Sequence, residues 1–324
     1  MPQETFDLLI IGAGQASVPL AQALNDAGWR VGVAEREHLG GSCVNFGCIP
    51  TKAVVESAKL AHQARRASEY GLHIPEVKVD FEAVLDGAKA LVESSRDSLQ
   101  NTFKGPNTPK LLRGAACIQS ETKDGFKVAV DDEEVTAKQL VISTGTRSVI
   151  PDLEGLDTID YIHAHNWLEQ TTLPEHLIIL GGGYIGLELG QFYKRMGAEV
   201  TIIDEGEQIA SHEDKDIAEM LQAQLENEGI NFHLKTEALE VAKTSKGVAL
   251  TIKKEGETQT LNGSHLFVSI GRKPNTDNLG LETIGIKLDD EGIIQVNETL
   301  VTNIEGVWVA GDVRGGPMFT HTAY

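Results

Sequence analysis

The stretch FDLLIIGAGQASVPLAQALNDAGWRVGVAE, Phe6 to Glu35, holds a strand-like run of Leu and Ile, a glycine turn, an amphipathic segment closed by Gly28, a second apolar run and an acid. The same order returns in EHLIILGGGYIGLELGQFYKRMGAEVTIID, Glu175 to Asp204, where Gly197 closes the amphipathic segment. Strand, glycine turn, helix and strand open a doubly wound nucleotide-binding unit. Two copies in one chain imply an α/β protein that holds two nucleotides.

In the second copy Gly181, Gly183 and Gly186 complete G-x-G-x-x-G. The first glycine permits the tight turn, the second lets the backbone approach a pyrophosphate, and the third lets helix pack on strand. The first copy keeps Gly12 and Gly14 but has Ser17 at the third position, small enough for the packing role. One such motif is compatible with any glycine turn between a strand and a helix. Two of them, each with an acid 23 positions after its first glycine, Glu35 and Asp204, predict two Rossmann-like domains. Each carboxylate can accept hydrogen bonds from ribose hydroxyls. At Asp204 the charge would also repel a 2′-phosphate, so the second site is expected to prefer NADH to NADPH.

Composition bounds the partners. A chain of 324 residues can build two domains with separate cores. Its net charge of -20 argues against nucleic acid and anionic membrane surfaces. The start, MPQETFDLLIIGAGQ, passes directly into a strand pattern without a basic segment or a cleavage site. No stretch reaches the roughly 18 apolar residues of a membrane helix. Three cysteines do not make a secreted disulfide framework, so a cytoplasmic location is expected.

There a close cysteine pair points to redox chemistry or metal binding. GGSCVNFGCIPTK, Gly40 to Lys52, sets Cys43 and Cys48 just after the second strand of the first unit, near its nucleotide. A two-thiolate metal site and a pair of buried thiols are the alternatives, although C-x4-C lacks a second pair at zinc spacing. No metal ligand is assigned. In a regular helix residues five apart point about 140° away from each other, so a Cys43–Cys48 disulfide requires a break that Gly47 would ease. Pro50 suits the first turn of a helix, and such a start favours a thiolate. Cys117 reads as a small core residue.

The cysteine segment, with LVISTGTRS (Leu140 to Ser148), SIGRKPNT (Ser269 to Thr276) and GVWVAGDV (Gly306 to Val313), resembles the FAD-containing pyridine nucleotide-disulfide oxidoreductases. These include dihydrolipoamide dehydrogenase, glutathione reductase and mercuric reductase. The wording of IPTKAVVESAKLAHQARRASEYGL and GGPMFTHTAY is most similar to the mercuric reductase-like branch. The resemblance implies FAD in the first domain and NAD in the second. Electrons would pass from NADH through FAD to a Cys43–Cys48 disulfide, then to a small disulfide, a metal ion such as mercuric ion, or an electrophile. It implies that Cys48 is the thiol beside the flavin and Cys43 the interchange thiol. Lys52 and Glu188 would pair near flavin N5, Tyr184 would cover the flavin until nicotinamide displaces it, and Asp312 would hold the ribityl hydroxyls. Gly41, Ser42, Ala116, Thr144, Gly145, Ile185, Gly271 and Arg272 complete the implied cofactor contacts. A diaphorase or NADH oxidase indifferent to the cysteines, and a non-catalytic FAD/NAD-binding module, stay open as alternatives.

The expected layout is residues 1–151 for the FAD domain, with helices at about 54–71 and 81–102 and a β-meander near 123–136. Residues 152–272 form the NAD domain and 273–324 return to the first. The family's C-terminal dimerisation domain, which carries a His-Glu dyad, is expected to lie beyond Tyr324. Among the ten histidines none sits in that dyad's context. The chain alone is therefore expected to lack the family homodimer and to reduce disulfides at no more than about a hundredth of the full rate.

Overall fold

A computed structural model describes residues 4–323. Two compact units form, one from residues up to Asn45 with Val92–Arg147 and Arg272 onward, the other from Phe46–Leu91 with Ser148–Gly271. The expected layout and these units differ over residues 46–91, assigned above to the first domain, and at the two crossings over residues 148–151 and Arg272. Residues 46–91 lie in the second unit because the helix Cys48–Arg65 packs along the helix Tyr184–Met196. Phe81 adds to this by stacking on Phe192, with ring centroids 5.9 Å apart.

The first unit is built on a seven-stranded sheet. Lys110–Arg113, Val31–Glu35, Glu4–Ile11, Glu133–Ile142 and Val307–Val309 run parallel. Gly125–Val130 and Ala116–Thr122 continue it as antiparallel strands. Val31–Glu35 and the carboxyl halves of Glu4–Ile11 and Glu133–Ile142 are apolar on both faces, as strands covered on both sides must be. One face carries a cluster around Leu9, Ile118 and Leu140, the other a cluster around Leu8, Ile10 and Val33.

The second unit repeats the plan with five parallel strands, Asn231–His233, Glu199–Ile203, His176–Leu180, His265–Val268 and Ile162–His163. A three-stranded antiparallel sheet, residues 236–263, packs its Val241, Leu250 and Ile252 into the same core as Ile178 and Leu266.

One ion pair in the second unit joins the C-terminal ends of two helices, Tyr184–Met196 and Lys215–Asn227. Arg195 Nε and Nη2 each donate to a different oxygen of Glu228 at 2.7 Å, and Gln191 adds a third bond at 3.1 Å. The Glu228 side chain is 5% exposed and that of Arg195 16%. Burial pushes the Glu228 carboxyl up, but the bonds and charge of Arg195, with Gln224 and His62, outweigh it and leave it below the ordinary carboxylate range. Removing one partner leaves a buried charge alone. Arg195→Leu is therefore expected to cost about 3 kcal/mol at neutral pH. Because the folded-state value is lowered, the stabilisation exists above the ordinary carboxylate pKa and fades as pH falls through the lowered one. Thermal melts at neutral and acid pH check this: the gap between wild type and variant should narrow in acid, and equal melting at neutral pH would contradict it.

Candidate active site

In the first unit the parallel strands end level with one another. Ile11 pairs with Ala34 and Ile142, and Val309 with Ile142. Beyond those ends the Gly12 amide donates to Ala34 at 2.8 Å, Ser143 to Ile11 at 2.8 Å and Ala310 to Ile142 at 3.0 Å. Gly12 has φ +98°, and a Cβ there would lie 2.4 Å from the Ser143 carbonyl, so only glycine fits. Glu35 fastens its strand to the turn, accepting from the Ala13 amide at 2.8 Å and the Glu37 amide at 2.8 Å. Each carboxylate oxygen keeps a lone pair for a further donor. A Cβ on Gly14 would meet nothing within 4 Å, which leaves room for a phosphate against the backbone, and Gly41 lies beside it.

A second cluster stands at the same strand ends. The Arg272 guanidinium donates through Nε to Thr146 Oγ1 at 2.8 Å and through Nη2 to the Thr146 carbonyl at 2.8 Å and Ser42 Oγ at 3.2 Å. Asp312 follows the strand Val307–Val309; burial pushes its carboxyl up, against the opposing pull of Arg272, the Thr146 hydroxyl and Arg314. Asn275 clamps the neighbouring loop, donating to the carbonyls of Thr144 and Gly145 at 2.9 Å each. Ala116 is placed differently from these, in the apolar core with Leu112 and Ile118.

The second unit builds an equivalent turn. Gly181 donates to Ile203 at 2.8 Å and Ser269 to Leu180 at 2.8 Å. Asp204 accepts from the Gly182 amide at 2.6 Å and the Gly206 amide at 2.7 Å, matching the role of Glu35. Gly183 precedes the helix Tyr184–Met196 and, like Gly14, faces open space. At the third position the copies part. A Cβ on Gly186 would lie 2.2 Å from the Gly181 carbonyl, whereas the first turn accommodates a fully buried Ser17 whose hydroxyl has no hydrogen-bond partner among the described residues.

Tyr184 is 40% exposed and donates from its hydroxyl to Glu213 at 2.7 Å, a bond that pushes the phenol up. Ile185 is half-buried in the same first helical turn. Gly271, with φ +136°, accepts from the Val149 amide at 2.9 Å. Cys43 is half-buried in the short helix Gly41–Asn45, and Cys48 is exposed as the first residue of Cys48–Arg65. Between them the chain leaves helical geometry at Gly47, φ -108° and ψ -115°. One turn on, the Lys52 ammonium is bonded to Glu188, which joins the thiol-bearing helix to the helix that starts at the glycine turn.

A family profile described as pyridine nucleotide-disulphide oxidoreductase matches residues 6–324. The chain belongs to this family. It is 35% identical to a mercuric reductase of Streptomyces lividans over 98% of this chain and 67% of that protein. It is 34% identical to a dihydrolipoyl dehydrogenase of Cupriavidus necator over 98% of this chain and 69% of that protein. Against a mercuric reductase of Staphylococcus aureus, 31% identical, it spans 57% of the length. Among solved structures it is similar to the HOCl-induced flavoprotein disulfide reductase RclA of Escherichia coli, with a TM-score of 0.84 at 29% identity, covering 98% of this chain and 68% of that one. The α/β fold and the oxidoreductase class are those of these flavoproteins.

Within this family frame, three further residues receive no role from the sequence, although Thr146 and Asn275 lie inside the motifs LVISTGTRS and SIGRKPNT. Thr146, Asn275 and Glu213 act through partners that lie more than 25 positions away. Cys117 is half-buried rather than in the core, because alternation along Ala116–Thr122 sends Ala116 and Ile118 inward and Cys117 to the other face. Among the described residues no group of three or more His, Cys, Asp or Glu side chains is placed to hold a metal ion. No helix among them is long and apolar enough to cross a membrane.

Proposed function

We propose that the chain carries the electron-transfer part of an FAD-dependent NADH:disulfide oxidoreductase, acting on a small disulfide, a metal ion such as mercuric ion, or an electrophile. The observation that carries this reading is the Lys52–Glu188 bond, which ties the helix headed by Cys48 to the helix headed by a dinucleotide turn. Gly12, Gly14, Glu35, Gly41, Ser42, Thr144, Gly145, Arg272 and Asp312 would hold FAD. Gly181, Gly183, Ile185, Gly186, Asp204 and Gly271 would hold NADH. FAD supplies hydride acceptance and onward two-electron transfer.

The protein's own groups do the rest. Cys43, as thiolate, attacks the substrate disulfide and releases one thiolate, forming a mixed disulfide. Cys48 then attacks the Cys43 sulfur, releases the second thiolate and closes Cys43–Cys48. Two electrons from NADH reopen it, so NADH, a proton and one disulfide give NAD and two thiols. The positive end of the helix at Cys48 favours a negative sulfur there. Lys52 offers positive charge for the reduced cofactor, and Glu188 fixes where that charge sits.

Anaerobic stopped-flow mixing with reduced nicotinamides tests the reading. NADH is expected to bleach the flavin, with affinity about tenfold or more better than NADPH because Asp204 disfavours a 2′-phosphate. Equal or better binding of NADPH would overturn the preference. Absence of bleaching by either would leave only a binding module.

A further inference from the structure

The helix Gly41–Asn45, which carries Cys43, is five residues long. A single turn fixes several backbone angles for very few hydrogen bonds, so it does not hold its shape unaided. Its support comes from Asn45, which is 2% exposed. Asn45 Nδ2 donates to the Gly41 carbonyl at 2.8 Å and to the Leu39 carbonyl at 3.0 Å, closing the turn onto its own start. Both protons of the amide are thereby used. Its Oδ1 accepts from Arg96 Nε, the one donor to it among the described residues.

Arg96 is half-buried on the helix Phe81–Asn101, 51 positions along the chain from Asn45. Leu99, three residues later on that helix, reaches the same segment. A Cβ on Gly40 would stand 2.4 Å from Val44 Cγ2 and 2.9 Å from Leu99 Cδ1. Gly40 is itself fixed, its amide donating to the Ala13 carbonyl at 2.8 Å and its carbonyl accepting from Gln15 Nε2 at 3.1 Å. A guanidinium only donates, so the place of Arg96 decides which way the Asn45 amide faces. With the oxygen turned to Arg96, the nitrogen meets the two carbonyls. Without that donor the oxygen is left buried and unsatisfied, which draws the side chain out toward water and opens the turn it closes.

We propose that Arg96, acting through Asn45, is a positioning residue for Cys43, which rests on the reading of Cys43 as the thiol that attacks the substrate. Its part is to keep the thiol's turn in one shape, so that a substrate disulfide meets the sulfur in line. Attack on a disulfide tolerates little misplacement of the nucleophile. Two substitutions separate the hydrogen bond from the charge and bulk of Arg96. Arg96→Gln sets an amide nitrogen where Nε stands and removes the charge. Arg96→Met fills the same space with a methyl group that donates nothing.

Hydrogen exchange and anaerobic half-reactions on the full, FAD-loaded chain are the test. In Arg96→Met, exchange across residues 40–45 should speed up at least about tenfold. Reoxidation of the NADH-reduced flavoprotein by a small disulfide should slow roughly 10- to 100-fold. Arg96→Gln should stay within about threefold of wild type in both measurements. NADH should reduce the flavin at the wild-type rate in either variant. Asn45→Asp keeps the acceptor but loses both donors, so it should repeat the defects of Arg96→Met, and it decides if melting curves show that Arg96→Met does not fold. Wild-type behaviour of a folded Arg96→Met, an Arg96→Gln as impaired as Arg96→Met, or faster exchange with unchanged reoxidation would each overturn the proposal and leave the proposed function standing. A wild-type flavoprotein that no disulfide reoxidises would overturn both.

Discussion

Alanine at Cys48 is expected to lower turnover of small disulfides by roughly a thousandfold or more, the scale of losing a nucleophile from a covalent mechanism. Cys43 could still form a mixed disulfide, but nothing would resolve it. Cys43→Ala should lose turnover to the same extent for a different reason, since no thiolate would attack the substrate. Spectroscopy separates the two roles. Cys48 heads an 18-residue helix, whose free amides and dipole favour the thiolate, whereas Cys43 sits in a separate five-residue helix. The two-electron-reduced flavoprotein should therefore show a long-wavelength charge-transfer band that disappears in Cys48→Ala and persists in Cys43→Ala. The reverse pattern would exchange the roles. NADH-driven reduction of a quinone should continue in both variants, because it needs no thiol. If a double variant kept its disulfide turnover, the cysteines would be dispensable and the diaphorase alternative would replace this one.

The parts of the fold that were legible in the sequence are those where local geometry admits few residue types. Gly12 and Gly181 stand where a side chain would strike a neighbouring carbonyl, and Glu35 and Asp204 both bond the amide just after that glycine. Such constraints leave a readable spacing. The helix Cys48–Arg65 is the contrasting case. Its buried Val54, Ala58 and Ala61 show that one face is covered, yet nothing in that periodicity names the helix Tyr184–Met196 as the cover. Chain order places residues 46–91 with the expected FAD domain, whereas their packing groups them with the second compact unit. Cys117 is half-buried, not a core residue, because the strand Ala116–Thr122 starts ahead of the expected meander near residue 123 and its alternation turns Cys117 away from the core. The Lys52–Glu188 bond spans 136 positions and was anticipated only through the family resemblance. Glu213 has no such guide, since an ordinary polar residue in a loop reveals its partner only after the chain has folded.

Gly186→Ser, which gives the second turn the residue that the first turn tolerates as Ser17, is expected to weaken NADH binding roughly 10- to 100-fold. The new Cβ would lie 2.2 Å from the Gly181 carbonyl and 2.9 Å from Ser269 Oγ. Gly181 cannot yield easily, because its own amide is bonded to Ile203 and the next amide, of Gly182, to Asp204. Relief must come from moving the turn, which displaces the amides meant for a pyrophosphate and the carboxylate meant for a ribose. The variant should also melt lower, since the same clash strains the packing of helix on strand. Gly183→Ala separates ligand binding from folding. A Cβ there meets nothing within 4 Å, so the protein should keep its melting temperature. That Cβ would nevertheless fill the space through which a pyrophosphate approaches the backbone, and NADH affinity should fall as in Gly186→Ser. Flavin content should be unchanged in both, because Gly14 and Glu35 belong to the other unit. Normal NADH binding by Gly183→Ala would mean that the pyrophosphate does not lie on this turn, and the assignment of the second unit to NADH would fall with it.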